Sequence, residues 1–104
     1  MAGRSDRESD LTELPPIDGR RRRELASRGH HLSARLLIGK RGLDEAVIAQ
    51  IRQALEKVDL VKVRIGSDTG AEADEIGARL TEKVPCHVIK RIGKVLLLYR
   101  PKPQ

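Results

Sequence analysis

Apolar residues recur at helical spacing in three parts of the chain. The clearest stripe runs over residues 44–57, where Val47 and Ile51 would lie on one face of a helix together with their apolar neighbours. A thinner stripe predicts a helix over residues 19–31, and an alanine-rich stripe predicts another over residues 71–83. We therefore expect three helices, each with one buried face.

Residues that begin and end helices lie at the limits of these stripes. Asp18 and Asp44 precede the first two helices and are the expected N-caps, because a carboxylate can accept hydrogen bonds from free backbone N–H groups. Pro85 should end the third helix. Gly29 lies near the end of the first, and we expect it to weaken or terminate that helix because glycine is a poor helix former.

Two shorter apolar runs predict strands between the helices. In residues 33–38 the triplet Leu36-Leu37-Ile38 is apolar on both faces, which predicts an internal strand. In residues 60–65 apolar side chains alternate with Lys62 and Arg64, which predicts a strand with one wet, basic face.

The last two apolar runs predict a hairpin. Residues 86–92 and 95–99 are separated by Gly93-Lys94, and glycine at the first turn position suits a type II′ turn. The full order is helix, strand, helix, strand, helix, strand, strand. It predicts an α/β fold, a compact two-layer sandwich with a mixed four-stranded sheet.

The chain of 104 residues is long enough for one modest core. Residues 1–14 are polar without apolar period and predict a flexible tail, Pro15-Pro16 marks the boundary of a domain over residues 15–101, and residues 102–104 form a short C-terminal tail. One cysteine excludes an internal disulfide and favours a reducing compartment. No apolar run approaches the roughly 18 residues of a membrane span. We expect a soluble, cytoplasmic protein, and a monomer.

Charge is distributed unevenly along the chain. The net charge of +6 suits a polyanionic partner. Residues 20–41 hold eight lysines and arginines with one acid, whereas residues 66–82 hold five acids with one base. This polarity indicates one face that binds and another that does not.

The bend Gly39-Lys40-Arg41-Gly42, which we call the GKRG bend, is the strongest candidate site. Two glycines flanking two cations would leave backbone N–H groups open to another molecule's backbone. The helix that follows would direct its positive end to the same place. These groups together predict a phosphate-binding device. Further candidate contacts, all basic, are Arg20, Arg21, Arg22, Arg23, Arg28, His31, Lys62 and Arg64.

Other chemistry is poorly supported by the sequence. A nucleotide P-loop needs glycine where Ala34 stands and serine or threonine where Arg41 stands. The histidines at 30, 31 and 87 show no metal-ligand spacing with Cys86. No group of nucleophile, base and orienting residue lies together, although dispersed residues could meet in the fold. We expect a protein without catalytic residues, metal or cofactor.

Tyr99 is the one aromatic residue of the Phe, Trp and Tyr class. Recognition of RNA by stacking bases on exposed rings is therefore nearly excluded. Contact with the backbone through amides and cations remains, which favours folded or double-stranded RNA read by shape.

Several blocks of the sequence, in order and in spacing, resemble the CRM domain, the chloroplast RNA splicing and ribosome maturation module, and its bacterial single-domain form, the YhbY-type proteins. The resemblance covers residues 15–101. Its blocks are residues 19–32, 37–43, 54–57, 60–63 and 92–101.

The resemblance implies a fold like the C-terminal domain of translation initiation factor 3, with the GKRG bend between the first strand and the second helix. It also implies binding to structured RNA and, for the bacterial form, association with ribosomal RNA or precursors of the large ribosomal subunit. The family's function carries over to Gly39, Lys40, Arg41 and Gly42. Ser27-Arg28-Gly29 departs from the family pattern, where a helix former is more usual.

Three hypotheses remain. The first is a non-enzymatic RNA-binding protein of large-subunit assembly. The second is a protein-interaction module whose basic face docks on an acidic ribosomal or assembly partner. The third is a hydrolase or RNA-modifying enzyme.

Overall fold

The structure, a computed structural model, describes residues 14–66 and 72–101. The predicted order of helices and strands is confirmed, as is the mixed four-stranded sheet. Most of the predicted N-terminal tail, the loop at residues 67–71 and the C-terminal tail lie outside the described residues. The elements are α1 (Gly19–His30), β1 (Leu36–Ile38), α2 (Glu45–Lys57), β2 (Leu60–Ile65), α3 (Ala73–Lys83), β3 (His87–Ile92) and β4 (Val95–Tyr99).

The first two helices begin at the predicted aspartate caps. A carboxylate oxygen of Asp18 accepts a hydrogen bond from the backbone N–H of Arg21 at 2.8 Å, and Asp44 accepts one from Val47 at 2.9 Å. Each such cap stabilises the helix by about 1 kcal/mol. α3 begins at Ala73, two residues later than predicted.

The sheet has the order β1-β2-β4-β3, with β1 and β3 at its edges. β1 is parallel to β2, and the other neighbouring strands are antiparallel. Gly93 has φ of +57° in the hairpin turn, and Lys94 does not have positive φ. This pattern agrees with the predicted type II′ turn.

β1 is shorter and more exposed than the sequence predicted. It spans three residues rather than 33–38, and it lies at an edge of the sheet. Leu36 and Ile38 pack toward the larger core, whereas the side chain of Leu37 points to the other face and is 56% exposed. The prediction of an internal strand is therefore wrong, because a strand's place in the sheet depends on pairing that its own sequence does not encode.

Helices cover both faces of the sheet. α2 and α3 pack on one face, in a core that includes the fully buried Ile51, Leu80 and Val63. α1 packs on the other face, where Leu25 meets Leu97 within a smaller core. The two-layer expectation thus holds for the sheet with α2 and α3, and α1 adds a third layer.

Gly29 allows α1 to lie close to the sheet. A Cβ atom added to Gly29 would overlap both terminal methyl carbons of Leu97. The helix continues through His30, so Gly29 does not terminate it. Packing, and not helix termination, explains the glycine at this position.

Candidate nucleic-acid interface

The GKRG bend leaves β1 and leads into α2. The backbone N–H of Gly42 donates a hydrogen bond to the carbonyl oxygen of Gly39 at 2.9 Å, which closes a four-residue turn. Gly42 has φ of +67°, a conformation that favours glycine. Gly39 does not have positive φ, and a Cβ added to either glycine would meet no atom within 4 Å. At neither glycine, therefore, would a side chain meet a steric obstacle.

Lys40 and Arg41 project from the tip of this bend. Both residues are exposed. Their side chains make no hydrogen bond or ion pair with residues 14–66 or 72–101. The bend is thus neither buried nor neutralised by carboxylates in the described part of the chain, and it presents two positive charges to solvent.

The N-terminus of α2 contributes less to this site than the sequence suggested. The Asp44 carboxylate already accepts from Val47 N–H, and Glu45 adds a second acid in the first turn. Because these acids neutralise the positive end of the helix dipole, the attraction of the bend for an anion depends mainly on Lys40 and Arg41.

Two of the four consecutive arginines in α1 are held by the protein itself. Arg21 donates to the hydroxyl oxygen of Tyr99 at 3.3 Å, and its guanidinium carbon lies 5.5 Å from the centre of that ring. The hydrogen bond to Tyr99 raises the pKa of Arg21. Arg22 donates to the carbonyl oxygens of Val88 and Ile89 at 3.2 and 2.8 Å, where β3 has a bulge. Both arginines fasten α1 to the sheet.

Arg20 and Arg23 are exposed and differ from their neighbours. Neither makes a side-chain hydrogen bond or ion pair within the described residues. Of the arginine run, these two alone remain available to a ligand.

Arg28 and Lys62 also make contacts within the protein. The guanidinium of Arg28 donates to both carboxylate oxygens of Asp59, at 2.9 and 3.3 Å. This pair holds the pKa of Asp59 below its ordinary value. The ammonium of Lys62 donates to the carbonyl oxygen of Leu32 at 3.1 Å and holds the chain that leaves α1. Both side chains stabilise the join between α1 and β2.

His31 lies at the C-cap of α1. Its backbone N–H contacts the carbonyl oxygens of Arg28 and Gly29, and its exposed ring meets the ring of His30 edge to face at 5.7 Å. The imidazole is thus accessible at the end of α1.

The predicted basic residues do not form one patch. The N-terminal part of α1 lies on the side of β3 and β4, through the contacts of Arg21 and Arg22. The GKRG bend extends from β1, at the opposite edge of the sheet. Three strand spacings, about 14 Å, separate these edges. The arginine run and the bend are thus close in sequence but lie toward opposite edges of the sheet.

Arg64 lies near the bend together with two cations, Arg35 and Lys94, that were not among the predicted contacts. It lines an open cleft of about 650 Å³ with Arg35, Leu37 and Lys94. We call this the edge cleft; the other described residues that line it are Ala34, Leu36, Ile65 and Gly66. The predicted type II′ turn places Lys94 at the tip of the β3–β4 hairpin. The sheet order shows that this tip lies beside the end of β2, which the sequence alone does not reveal.

Two further features of the described residues concern metal binding and the single cysteine. They contain no cluster of three or more histidine, cysteine or acidic side chains that could hold a metal ion. Cys86 is buried, and burial raises the pKa of its thiol to about 11, so the reactive thiolate is scarce at neutral pH. Among these residues no helix has the length and apolar character needed to cross a bilayer.

Proteins of similar sequence carry names that describe RNA binding. A protein of Haemophilus influenzae named "RNA-binding protein" is 34% identical over 92 residues, which cover 88% of this chain and 92% of that protein. A Pseudomonas aeruginosa protein named "Probable RNA-binding protein" is 34% identical over 86 residues, which cover 80% of each chain.

A solved structure shows the same fold. The solution structure of a hypothetical protein from Staphylococcus aureus matches with a TM-score of 0.74 and 28% identity, over 86% of this chain and 93% of that one. The family model of the CRS1 / YhbY (CRM) domain matches residues 17–100. The chain therefore belongs to the CRS1 / YhbY (CRM) domain family.

Proposed function

We propose that this chain is a non-enzymatic RNA-binding protein that holds structured RNA through the GKRG bend and acts in assembly of the large ribosomal subunit. The observation that carries the proposal is that Lys40 and Arg41 are exposed on a glycine-bounded turn without a partner in the described chain. Two unpaired cations on an exposed turn suit phosphate oxygens, which dominate affinity for nucleic acid.

The steric environment of Gly39 supports a close-approaching ligand. Its φ is not positive and a Cβ would meet nothing within 4 Å, so the described chain gives no steric reason for glycine there. A sugar-phosphate backbone lying on the bend would supply that reason, because it needs the space that a side chain would fill.

The environment of Tyr99 supports recognition through the RNA backbone. Its ring is buried, stacked with His87 at 6.5 Å and covered by Arg21. The ring therefore offers no face to a base, and contact through phosphates and shape is the mode that the chain's residues favour.

The ribosomal part of the proposal depends on the family resemblance, as does action in the cytoplasm. It is tested by sucrose-gradient profiles of cells that carry tagged wild type or the variant K40E/R41E. We expect wild type to sediment with large-subunit precursors and the variant to remain at the top. Retention on particles after nuclease digestion of exposed RNA, equal in both proteins, would favour the protein-interaction module instead.

RNA binding itself is tested by fluorescence anisotropy with a labelled RNA hairpin. Replacing Lys40 and Arg41 by glutamate should abolish binding, while the variant K57E/K83E, which changes the net charge equally, should bind as wild type does. Lys57 and Lys83 lie in the last turns of α2 and α3, the helices that pack on the face of the sheet opposite α1. If K40E/R41E bound the RNA with wild-type affinity, the proposal that the GKRG bend binds RNA would be refuted.

A further inference from the structure

The face of the sheet that carries α1 is only partly covered. α1 packs over the end where Leu60, Leu97 and Tyr99 lie. Toward the end that holds the GKRG bend, Leu37 on the edge strand β1 is 56% exposed. Its side chain, next to its cross-strand neighbour Arg64, leaves a small apolar surface beside a positive charge.

Positive charge surrounds this apolar surface. Among the described residues that line the edge cleft are three cations, Arg35, Arg64 and Lys94, and no acid. None of the three side chains makes a hydrogen bond or ion pair within the described residues. The cleft volume of about 650 Å³ falls within the range of small-ligand sites. The cleft thus fits an anion that also carries an apolar surface.

The cleft is continuous with the GKRG bend. The N–H of Gly66 donates to the carbonyl oxygen of Ile38 at 2.8 Å, immediately before the bend. The N–H of Ile65 donates to the carbonyl oxygen of Lys94 at 2.7 Å. These bonds place the bend, the end of β2 and the hairpin tip side by side, so a chain held at the bend can continue into the cleft.

We propose that the edge cleft holds an unpaired nucleotide of the RNA that the GKRG bend grips. Arg35, Arg64 and Lys94 contact its phosphates, and the side chain of Leu37 contacts its ribose and base. This inference rests on the proposed function and specifies the RNA: a double-stranded segment with a single-stranded extension. In a duplex the base faces are stacked inside, so only an unpaired nucleotide has an apolar face to lay against Leu37.

The test uses two RNAs with the same duplex made of two separate strands, one blunt and one with three unpaired nucleotides at each end. Wild type should bind the extended RNA about tenfold more tightly than the blunt one, at one fixed salt concentration. The variants R35Q/K94Q and L37S should lose this advantage while binding the blunt RNA within about twofold of wild type. The control K57Q/K83Q should keep the advantage, and thermal melting establishes that each variant is folded.

Several results would overturn the inference. Equal affinity of wild type for the two RNAs, or an equal loss for both RNAs in R35Q/K94Q, would show that the cleft does not select an unpaired nucleotide. Loss of a nuclease-resistant protein partner in L37S, without preference for the extended RNA, would assign the cleft to a protein. Full binding of both RNAs by K40E/R41E would instead refute the proposed function of the bend.

Discussion

Gly29 of α1 lies so close to Leu97 of β4 that a Cβ atom on the glycine would overlap both methyl carbons of the leucine. The substitution Gly29→Ala should therefore destabilise the protein, although alanine is the better helix former. Overpacking costs about 1–3 kcal/mol and helix propensity returns about 1 kcal/mol, so we expect a net loss of up to about 2 kcal/mol. Urea unfolding measures it.

Gly77 in α3 provides the matched control. It is also buried in a helix, but its added Cβ would lie 3.6 Å from a methyl carbon of Val88, an ordinary contact. Gly77→Ala should raise the free energy of unfolding by about 0.5–1 kcal/mol. If the two substitutions had the same effect, close approach at Gly29 would not explain the packing of α1.

The ion pair between Arg28 and Asp59 predicts a specific pH dependence. Because the folded pKa of Asp59 lies below the unfolded value of about 3.9, the pair stabilises the protein above that pH and its effect disappears as the pH falls through the folded pKa. Arg28 is half exposed, so solvent screening keeps the contribution below about 1 kcal/mol.

The variant D59N measures this contribution. The difference in unfolding free energy between wild type and D59N should be present at pH 6 to 7 and should shrink below about pH 4. The exposed Glu24, whose carboxylate lies 3.7 Å from Arg21, is the comparison: E24Q should show a smaller difference. A difference in unfolding free energy between wild type and D59N that did not change with pH would contradict a stabilising role of the Arg28–Asp59 ion pair.

Salt dependence distinguishes phosphate binding from other roles of Lys40 and Arg41. Removing one cation that neutralises a phosphate should reduce the slope of log affinity against log salt by about 0.7 on single-stranded RNA. The variant K40Q/R41Q should therefore have a slope smaller in magnitude by about 1.4, whereas K57Q/K83Q should leave it unchanged. An unchanged slope in K40Q/R41Q would mean that neither side chain meets phosphate.

The adjacent arginines of α1 should behave differently from one another. Arg22→Ala removes two hydrogen bonds to the β3 carbonyls and should cost about 1 kcal/mol of stability. Arg23→Ala removes no side-chain hydrogen bond or ion pair within the described residues and should remain within about 0.5 kcal/mol of wild type. Thermal unfolding of both variants in one buffer compares them, and equal destabilisation would contradict the structural role of Arg22.

Local signals predicted the local structure well. Asp18 and Asp44 marked the helix starts, and Gly93 marked the hairpin turn, because capping and turn geometry depend on a few neighbouring residues. The edge position of β1 could not be read from its apolar triplet. Strand order is set by contacts between residues far apart in sequence, and here those contacts leave Leu37 exposed.

The candidate site likewise has parts that could be predicted from the sequence and parts that could not. The GKRG bend is contiguous in sequence, so its exposed cations could be predicted, although their contact with RNA stays a prediction. Arg21, Arg22 and Arg28 look like Arg20 and Arg23 in the sequence, yet the fold commits them to Tyr99, to β3 and to Asp59. The edge cleft combines residues 34–37, 64–66 and 94, which only the sheet order brings together.

The brevity of β1 has a consequence for how the bend meets its ligand. Three residues pair with β2 on one side only, yet the last of them, Ile38, is fully buried in the larger core immediately before the bend. Lys40 and Arg41 thus follow directly after an anchored residue, so their backbone has little freedom left to lose when a ligand binds.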